Sequence, residues 1–242
     1  MFYLRVTLSV IWVLFSCTLW ILVALFSWRN PKLFSISARF LAWGGLRALG
    51  LKTTIEGQDY LKELPAVMVS NHQSFLDTLI LGSIWPAKVV PIGKREIGWI
   101  PIIGWWFVAC GARLINRSAA QAAKGILDQQ VDFIKSGEGF GIGITPEGTR
   151  NRAGKGLLPF KKGAFHLAIK AQVPIITLVV APLGDIANWQ KKTLCSAIIP
   201  IRVLPPFSTT GMNENDVDRL VQTVREAMEK TLTELETSLV KL

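Results

Sequence analysis

The chain has 242 residues, half of them hydrophobic, with a mean hydropathy of +0.36 and a formal net charge of +10. That length suits one catalytic domain with a short appendage, and the apolar content argues against a chain with no membrane segment. Only Cys17, Cys110 and Cys195 are cysteines, far apart and odd in number, so there is no disulfide framework and no zinc-type Cys/His cluster.

Cysteine use of this kind fits a reducing compartment. Residues 213–242 hold four Lys/Arg and seven Asp/Glu, so the positive charge belongs to residues 1–212. A positive surface beside apolar sequence suits anionic lipid or an acidic carrier. No nucleic-acid motif accompanies the charge, so no nucleic-acid partner is expected.

Thr7 to Trp28 is an uncharged run of 22 residues between Arg5 and Arg29. As a helix it extends roughly 33 Å, enough for a hydrocarbon core. A cleaved signal peptide has a shorter apolar region and a small-residue cleavage site, and neither fits. From Pro31 to Leu51, apolar residues such as Phe34, Phe40, Trp43 and Leu46 alternate with Lys32, Arg39 and Arg47. This pattern predicts an amphipathic, interfacial helix. Basic residues after the anchor favour a cytoplasmic catalytic domain. The pattern leaves open whether the first helix spans the bilayer or folds back as half of a hairpin in one leaflet.

Beyond residue 52 the pattern alternates. Strands are predicted at Thr53–Glu56, Ala66–Val69, Lys88–Ile92, Ala112–Ile115, Gly139–Ile144, Ile175–Val180 and Ala197–Leu204. Helices are predicted at Phe75–Ile84, Ala119–Lys135 and Gly163–Lys170. The alternation argues for a layered α/β domain and leaves the strand order open. Val217, Leu220, Val221, Val224, Met228, Leu232, Leu235 and Leu239 then follow helical spacing. They predict a last amphipathic helix packed on the domain, or offered to a partner helix. The expected division is a helical membrane anchor, residues 1–51, and a catalytic domain, residues 52–242.

Two motifs carry chemistry. In Asn71-His72-Gln73-Ser74-Phe75-Leu76-Asp77, the histidine and aspartate are five residues apart. Within one regular helix they would point about 140° apart and could not meet. They meet if His72 lies in a strand-to-helix turn and Asp77 in the first helical turn. Asp77 then holds one imidazole nitrogen, and the other is free to take a proton from a hydroxyl. The competing reading is a capping turn with a structural histidine. His166 is the only other histidine.

The second motif, Pro146-Glu147-Gly148-Thr149-Arg150, follows a glycine-rich strand. Gly148 permits unusual backbone angles, backbone amides suit a phosphate, and Arg150 can grip one with two hydrogen bonds. Glu147 either orients Arg150 or accepts a substrate hydroxyl. A plain polar turn is the competing reading. Nucleotide motifs fail: Gly148 to Lys155 is one residue too long for a P-loop, with Gly156 where Ser/Thr is required. No G-x-S-x-G elbow is present.

With these residues the chain resembles the glycerophospholipid acyltransferase family, and most closely its bacterial members that act on 1-acyl-sn-glycerol 3-phosphate. Asn71, His72 and Asp77 match the family's N-H-x-x-x-x-D block, and Pro146 to Arg150 match its P-E-G-T-R block. Gly93-Lys94-Arg95-Glu96 through Gly104 resembles a lysine-containing segment. Leu114-Ile115-Asn116-Arg117 resembles an I-D-R segment, and Val173-Pro174-Ile175 a closing V-P-I block. Two residues depart from the pattern: Thr145 stands where Phe is usual, and Asn116 where Asp is usual.

The resemblance implies a layered α/β acyltransferase domain and transfer of a fatty acyl group from a thioester to a lysophospholipid hydroxyl. His72 and Asp77 are then the catalytic residues. Lys94, Arg117, Glu147, Gly148, Thr149 and Arg150 are the substrate-binding candidates. No metal or cofactor is implied. The implied partners are membrane phospholipid, a lysophosphatidic acid acceptor, and acyl-CoA or acyl-acyl carrier protein as donor. The implied place is the cytoplasmic face of a bacterial inner membrane. Trp99, Ile100, Ile102, Ile103, Trp105, Trp106 and Phe107 either line an acyl channel or form core or membrane-contact surface. Rival acceptors are another lysophospholipid, glycerol 3-phosphate or an acyl-amino-acid lipid. The rival of another class is a non-catalytic protein that binds anionic lipid.

Overall fold

The computed structural model describes residues 1–115, 120–151 and 156–241. Helix α1, Phe2–Ala24, and helix α2, Pro31–Leu49, run antiparallel. Ser9 Oγ donates to the Gly45 carbonyl at 3.2 Å and Trp12 Nε1 to that of Phe40 at 3.3 Å. The start of α2 is set by Pro31 and by Asn30, whose side chain accepts from the Lys32 N–H. Its end is set by Gly50 in the left-handed region, φ +75°.

The first helix is inverted relative to a soluble one. Its buried residues are Ser9, Ser16, Cys17 and Ala24, while Leu4, Leu8, Ile11, Phe15 and Leu22 are exposed. Small residues let the backbones approach, and the apolar side chains face away from the protein. The helix is long and apolar enough to cross a membrane. Helix α2 differs from expectation: Phe34, Leu41, Leu46 and Leu49 are buried. Its apolar face packs into the protein, and Ile36 and Trp43 remain outside.

The sheet contains β1 (Leu51–Glu56), β2 (Val67–Ser70), β3 (Val89–Lys94), β4 (Arg113–Ile115), β5 (Gly141–Ile144), β6 (Ile175–Val180) and, after a two-stranded hairpin, β9 (Ala197–Val203). The hairpin strands are β7 (Ala187–Asn188) and β8 (Thr193–Leu194). The order is β1-β9-β6-β2-β5-β3-β4. Strands β6, β2, β5, β3 and β4 are mutually parallel; β9 pairs antiparallel with β6 and parallel with β1. A short final strand, Val240–Lys241, pairs antiparallel with β9.

Strands β2 and β6 are buried along their whole length, as parallel strands covered on both faces must be. Helix α2 packs on α3 (Asp77–Gly82), β1 and β3. Helix α6 (Gly163–Ala171) packs on α5 (Ala120–Lys135), on β2 and on α7 (Val217–Thr237). The apolar stripe of α7 is spent on the domain: Val217, Leu220, Val224, Met228, Leu232 and Leu235 are buried. Helix α4 (Ile103–Ala109) has no counterpart among the predicted elements. Because β2, β5 and β6 are parallel, the residues after each of them emerge on one edge of the sheet. Both motifs lie on that edge.

Candidate active site

The last residue of β2 is Ser70, so Asn71 begins the turn. Asn71 is buried and bridges to the end of β6: its amide donates to the Val180 carbonyl and accepts from the Val180 N–H, both at 2.9 Å. Gln73 continues the clasp, donating to the Val180 and Ala181 carbonyls and accepting from the Leu183 N–H. Helix α3 then starts at Asp77. His72 is therefore in the turn and Asp77 in the first helical turn, the geometry that lets them meet.

His72 Nδ1 lies 2.7 Å from Asp77 Oδ2. The same oxygen accepts the Gln73 N–H at 2.7 Å and the Ser74 N–H at 2.9 Å. Asp77 Oδ1 is buried, with no hydrogen-bond partner among the described residues. The Asp77 side chain is 3% exposed and that of His72 is 28% exposed. A carboxylate held by two backbone donors is a fixed acceptor, which places the imidazole proton on Nδ1. Nε2 is then the unprotonated nitrogen.

The second motif is clamped to the first through the backbone of His72. Glu147 Oε1 accepts the His72 N–H at 2.8 Å, and the Asn151 N–H donates to the His72 carbonyl at 2.7 Å. Glu147 Oε2 accepts the Leu158 N–H at 3.0 Å. Glu147 thus departs from its predicted role: it is buried, and both oxygens tie loops together rather than orienting Arg150 or meeting a substrate hydroxyl. Burial pushes its carboxyl above the usual range, against the two N–H groups that favour the charge. Glu147→Gln offers one acceptor where two donors converge. It is expected to cost about 1–3 kcal/mol, read as a lower denaturation midpoint at unchanged secondary structure.

Gly148 has φ +68°, which explains glycine there. Its N–H donates to the Thr145 carbonyl at 3.1 Å, so the expected phosphate-binding amide is engaged within the turn. Thr149 is exposed. The Arg150 guanidinium carbon lies 3.6 Å from the ring centroid of Phe75, so the cation of one motif stacks on the aromatic ring of the other. Sequence reasoning missed Phe75 and Gln73; both sit inside the first motif, which was the available signal. Lys94 is exposed at the C-terminal end of β3, on the same sheet edge. Arg117 and Asn116 lie outside the described residues.

A cleft of about 560 Å³ opens beside these loops, lined by Gln73, Ser74, Phe75, Arg150 and Asn151 and closed by the β7–β8 hairpin, including Asn188 and Trp189. None of the apolar residues between 99 and 107 is among its lining residues. Trp106 is core, stacked on Phe34 at 5.2 Å, whereas Trp99, Ile100 and Trp105 are exposed.

The arrangement is an oriented base, a stacked guanidinium and an adjoining cleft. The sequence profile of the family described as Acyltransferase matches residues 52–181, more than half of the chain and inclusive of both motifs. The chain belongs to the acyltransferase family. The 1-acyl-sn-glycerol-3-phosphate acyltransferase of Escherichia coli is 32% identical to this acyltransferase over 96% of the chain and 93% of the relative. The 1-acyl-sn-glycerol-3-phosphate acyltransferase alpha of Mus musculus is 35% identical over 93% of the chain and 79% of the relative. A Saccharomyces cerevisiae protein, 1-acyl-sn-glycerol-3-phosphate acyltransferase, is 31% identical, and the match spans 62% of that relative's length. The fold is that of the Thermotoga maritima crystal structure of PlsC, a 1-acyl-sn-glycerophosphate (LPA) acyltransferase, with TM-score 0.74, 22% identity and 98% of each chain covered.

Proposed function

We propose that this acyltransferase moves a fatty acyl group from an acyl thioester to the sn-2 hydroxyl of 1-acyl-sn-glycerol 3-phosphate, making phosphatidic acid for phospholipid synthesis. The observation that carries the reading is the His72–Asp77 contact at 2.7 Å, with the Asp77 oxygen fixed by two backbone amides. His72 Nε2 takes the proton of the acceptor hydroxyl as its oxygen attacks the thioester carbonyl. The tetrahedral intermediate collapses, breaking the C–S bond. The leaving thiolate recovers the proton from the imidazolium, which Asp77 stabilises meanwhile. The curated relatives' names support the acceptor, and both acyl-CoA and acyl-acyl carrier protein satisfy the chemistry of the donor.

Arg150 is the phosphate ligand in this proposal, with Lys94 and Arg117 as further cations. Phe75 holds the guanidinium plane, a task lysine cannot take over. Arg150→Lys is expected to raise KM for lysophosphatidic acid by roughly tenfold or more, the loss of a charge-assisted pair. It should leave use of a monoacylglycerol, which lacks the phosphate, nearly unchanged. An equal loss with both acceptors would assign Arg150 to the fold instead.

We further propose that residues 1–51 hold the protein on the membrane and residues 52–242 carry catalysis. Both ends of α1 touch the catalytic domain, which supports a helix lying in one leaflet. Near its start the Phe2 ring meets Trp189 at 5.9 Å, and past its end the Arg29 N–H donates to the Ala109 carbonyl at 2.8 Å. Basic residues after the anchor and three free cysteines support the cytoplasmic face of a bacterial inner membrane. A tag before Met1 is expected to be cleaved from the same side of sealed vesicles as the catalytic domain. Cleavage only from the opposite side would mean that α1 spans.

A further inference from the structure

We propose that the turn from Trp99 to Trp105 is a second membrane contact, a stiff knuckle whose two tryptophans and Ile100 sit in the interfacial layer of the bilayer. This rests on the reading that the outer face of α1 lies in lipid. Trp99 is 74%, Trp105 56% and Ile100 46% exposed. Tryptophan has an apolar body and a polar N–H, which places it at the boundary between headgroups and chains.

The knuckle is built, not loose. Ile102 has φ +64° and ψ −61°, and the Ile103 N–H donates to the Pro101 carbonyl at 2.7 Å. This is a γ-turn of the rare, strained hand, centred on a β-branched residue that ordinarily avoids positive φ. Strain of this kind persists only where the surroundings over-determine it. They do so here. The Gly104 N–H donates to the Ile100 carbonyl at 2.8 Å, and any side chain at Gly104 would run into the Ile97 carbonyl. On the inner side Trp106 and Phe107 pack on Phe34, with ring centroids 5.2 and 5.4 Å away. The outward side of the same turn carries Trp99, Ile100 and Trp105. A fold that fixes a strained turn in order to cover nothing has left that surface for a partner.

Its place in the molecule identifies the partner as the lipid surface. Helix α4 packs on α1. Cys110, just past α4, lies beside the Trp20 carbonyl, and Ala109 holds Arg29. Just past the end of α1, Phe26 and Trp28 are 94% and 58% exposed. The knuckle thus leads directly into the helix that packs on the anchor. At its base Lys94 and Arg95 are exposed beside Glu96, leaving one net positive charge for lipid phosphates. Contact here would pin the β3–β4 side of the sheet as α1 pins the hairpin side. The catalytic edge would then be held at a fixed height over the headgroups.

Depth-dependent quenching tests the proposal with the full chain. In a Cys195→Ser background, Trp99→Cys, Leu8→Cys and Lys230→Cys each receive one environment-sensitive fluorophore. Leu8 marks the outer face of α1, and Lys230 an exposed position on α7. Vesicles of phosphatidylcholine and phosphatidylglycerol carry spin-labelled acyl chains. The labels at 8 and 99 are expected to be quenched several-fold more than the label at 230. Quenching at 8 but not at 99 would overturn the knuckle and leave the anchor intact. If neither is quenched above 230, the membrane placement of α1 falls, and the knuckle with it. Protection of the label at 99 that rises with protein concentration without vesicles would assign the patch to a second copy of the chain.

Discussion

His72→Ala is expected to lower turnover by roughly two to four orders of magnitude, the contribution of a positioned general base. The acceptor hydroxyl is a poor nucleophile until its proton has a destination. In the proposed reaction His72 Nε2 is that destination, because Asp77 occupies the other ring nitrogen at 2.7 Å. The backbone of His72, not its side chain, joins the two motifs, through Glu147 and Asn151. Alanine keeps both of those hydrogen bonds, so the variant is expected to fold, to bind vesicles and to bind substrate. His166→Ala is the control. His166 sits on α6, outside both motifs, and its loss is expected to change turnover by less than about tenfold. Steady-state rates for the two variants, with circular dichroism to confirm folding, check this. A catalytically dead His166→Ala beside an active His72→Ala would reverse the assignment.

Asp77→Asn is expected to give a similar loss for a different reason. All three hydrogen bonds to Asp77 land on one oxygen, Oδ2. An asparagine can present its amide oxygen to the same three donors, with its NH₂ in the place of the partnerless Oδ1. The turn and the imidazole orientation survive, and the negative charge opposite the imidazolium is removed. The expected result is a fall in turnover of about two to three orders of magnitude with little change in KM, since the charge matters only once the proton has moved. Asp77→Ala is expected also to destabilise the protein, because it strands two backbone N–H groups in a buried turn. If Asp77→Asn kept full turnover, the aspartate would serve only to cap the turn.

Much of this was legible because the chain is punctuated clearly. Ile175–Val180, bounded by Pro174 and Pro182, forms a strand over the predicted residues. The helix beginning at Gly163 ends near the residues that precede Pro174, as proline requires. Spacing made the meeting of His72 and Asp77 conditional: five helical steps forbid it within one helix and allow it if His72 lies in the turn before the helix. What escaped depends on residues distant in sequence. Whether Glu147 reaches a ligand or a backbone depends on where Leu158 returns, and spacing carries no such information. The stacking of Arg150 on Phe75 joins two motifs that touch only in the fold. Helix α4 was hidden because Trp105, Trp106 and Phe107 are apolar on both its faces. Periodicity cannot find a helix whose outer face is as greasy as its inner one. The same difficulty applies to α2, where an amphipathic stripe reads equally as lipid-facing or core-facing.

Product analysis with purified full-length protein tests the central claim most directly. Vesicles carry lysophosphatidic acid or a phosphate-free monoacylglycerol, with an acyl thioester as donor. Free thiol and acylated lipid are measured together. The account predicts one phosphatidic acid formed per thiol released, a strong preference for the phosphorylated acceptor, and loss of both products in His72→Ala protein that still floats with the vesicles. Thiol release without an acylated lipid would describe a thioesterase, and undiminished phosphatidic acid from His72→Ala would remove the base on which the proposed chemistry depends.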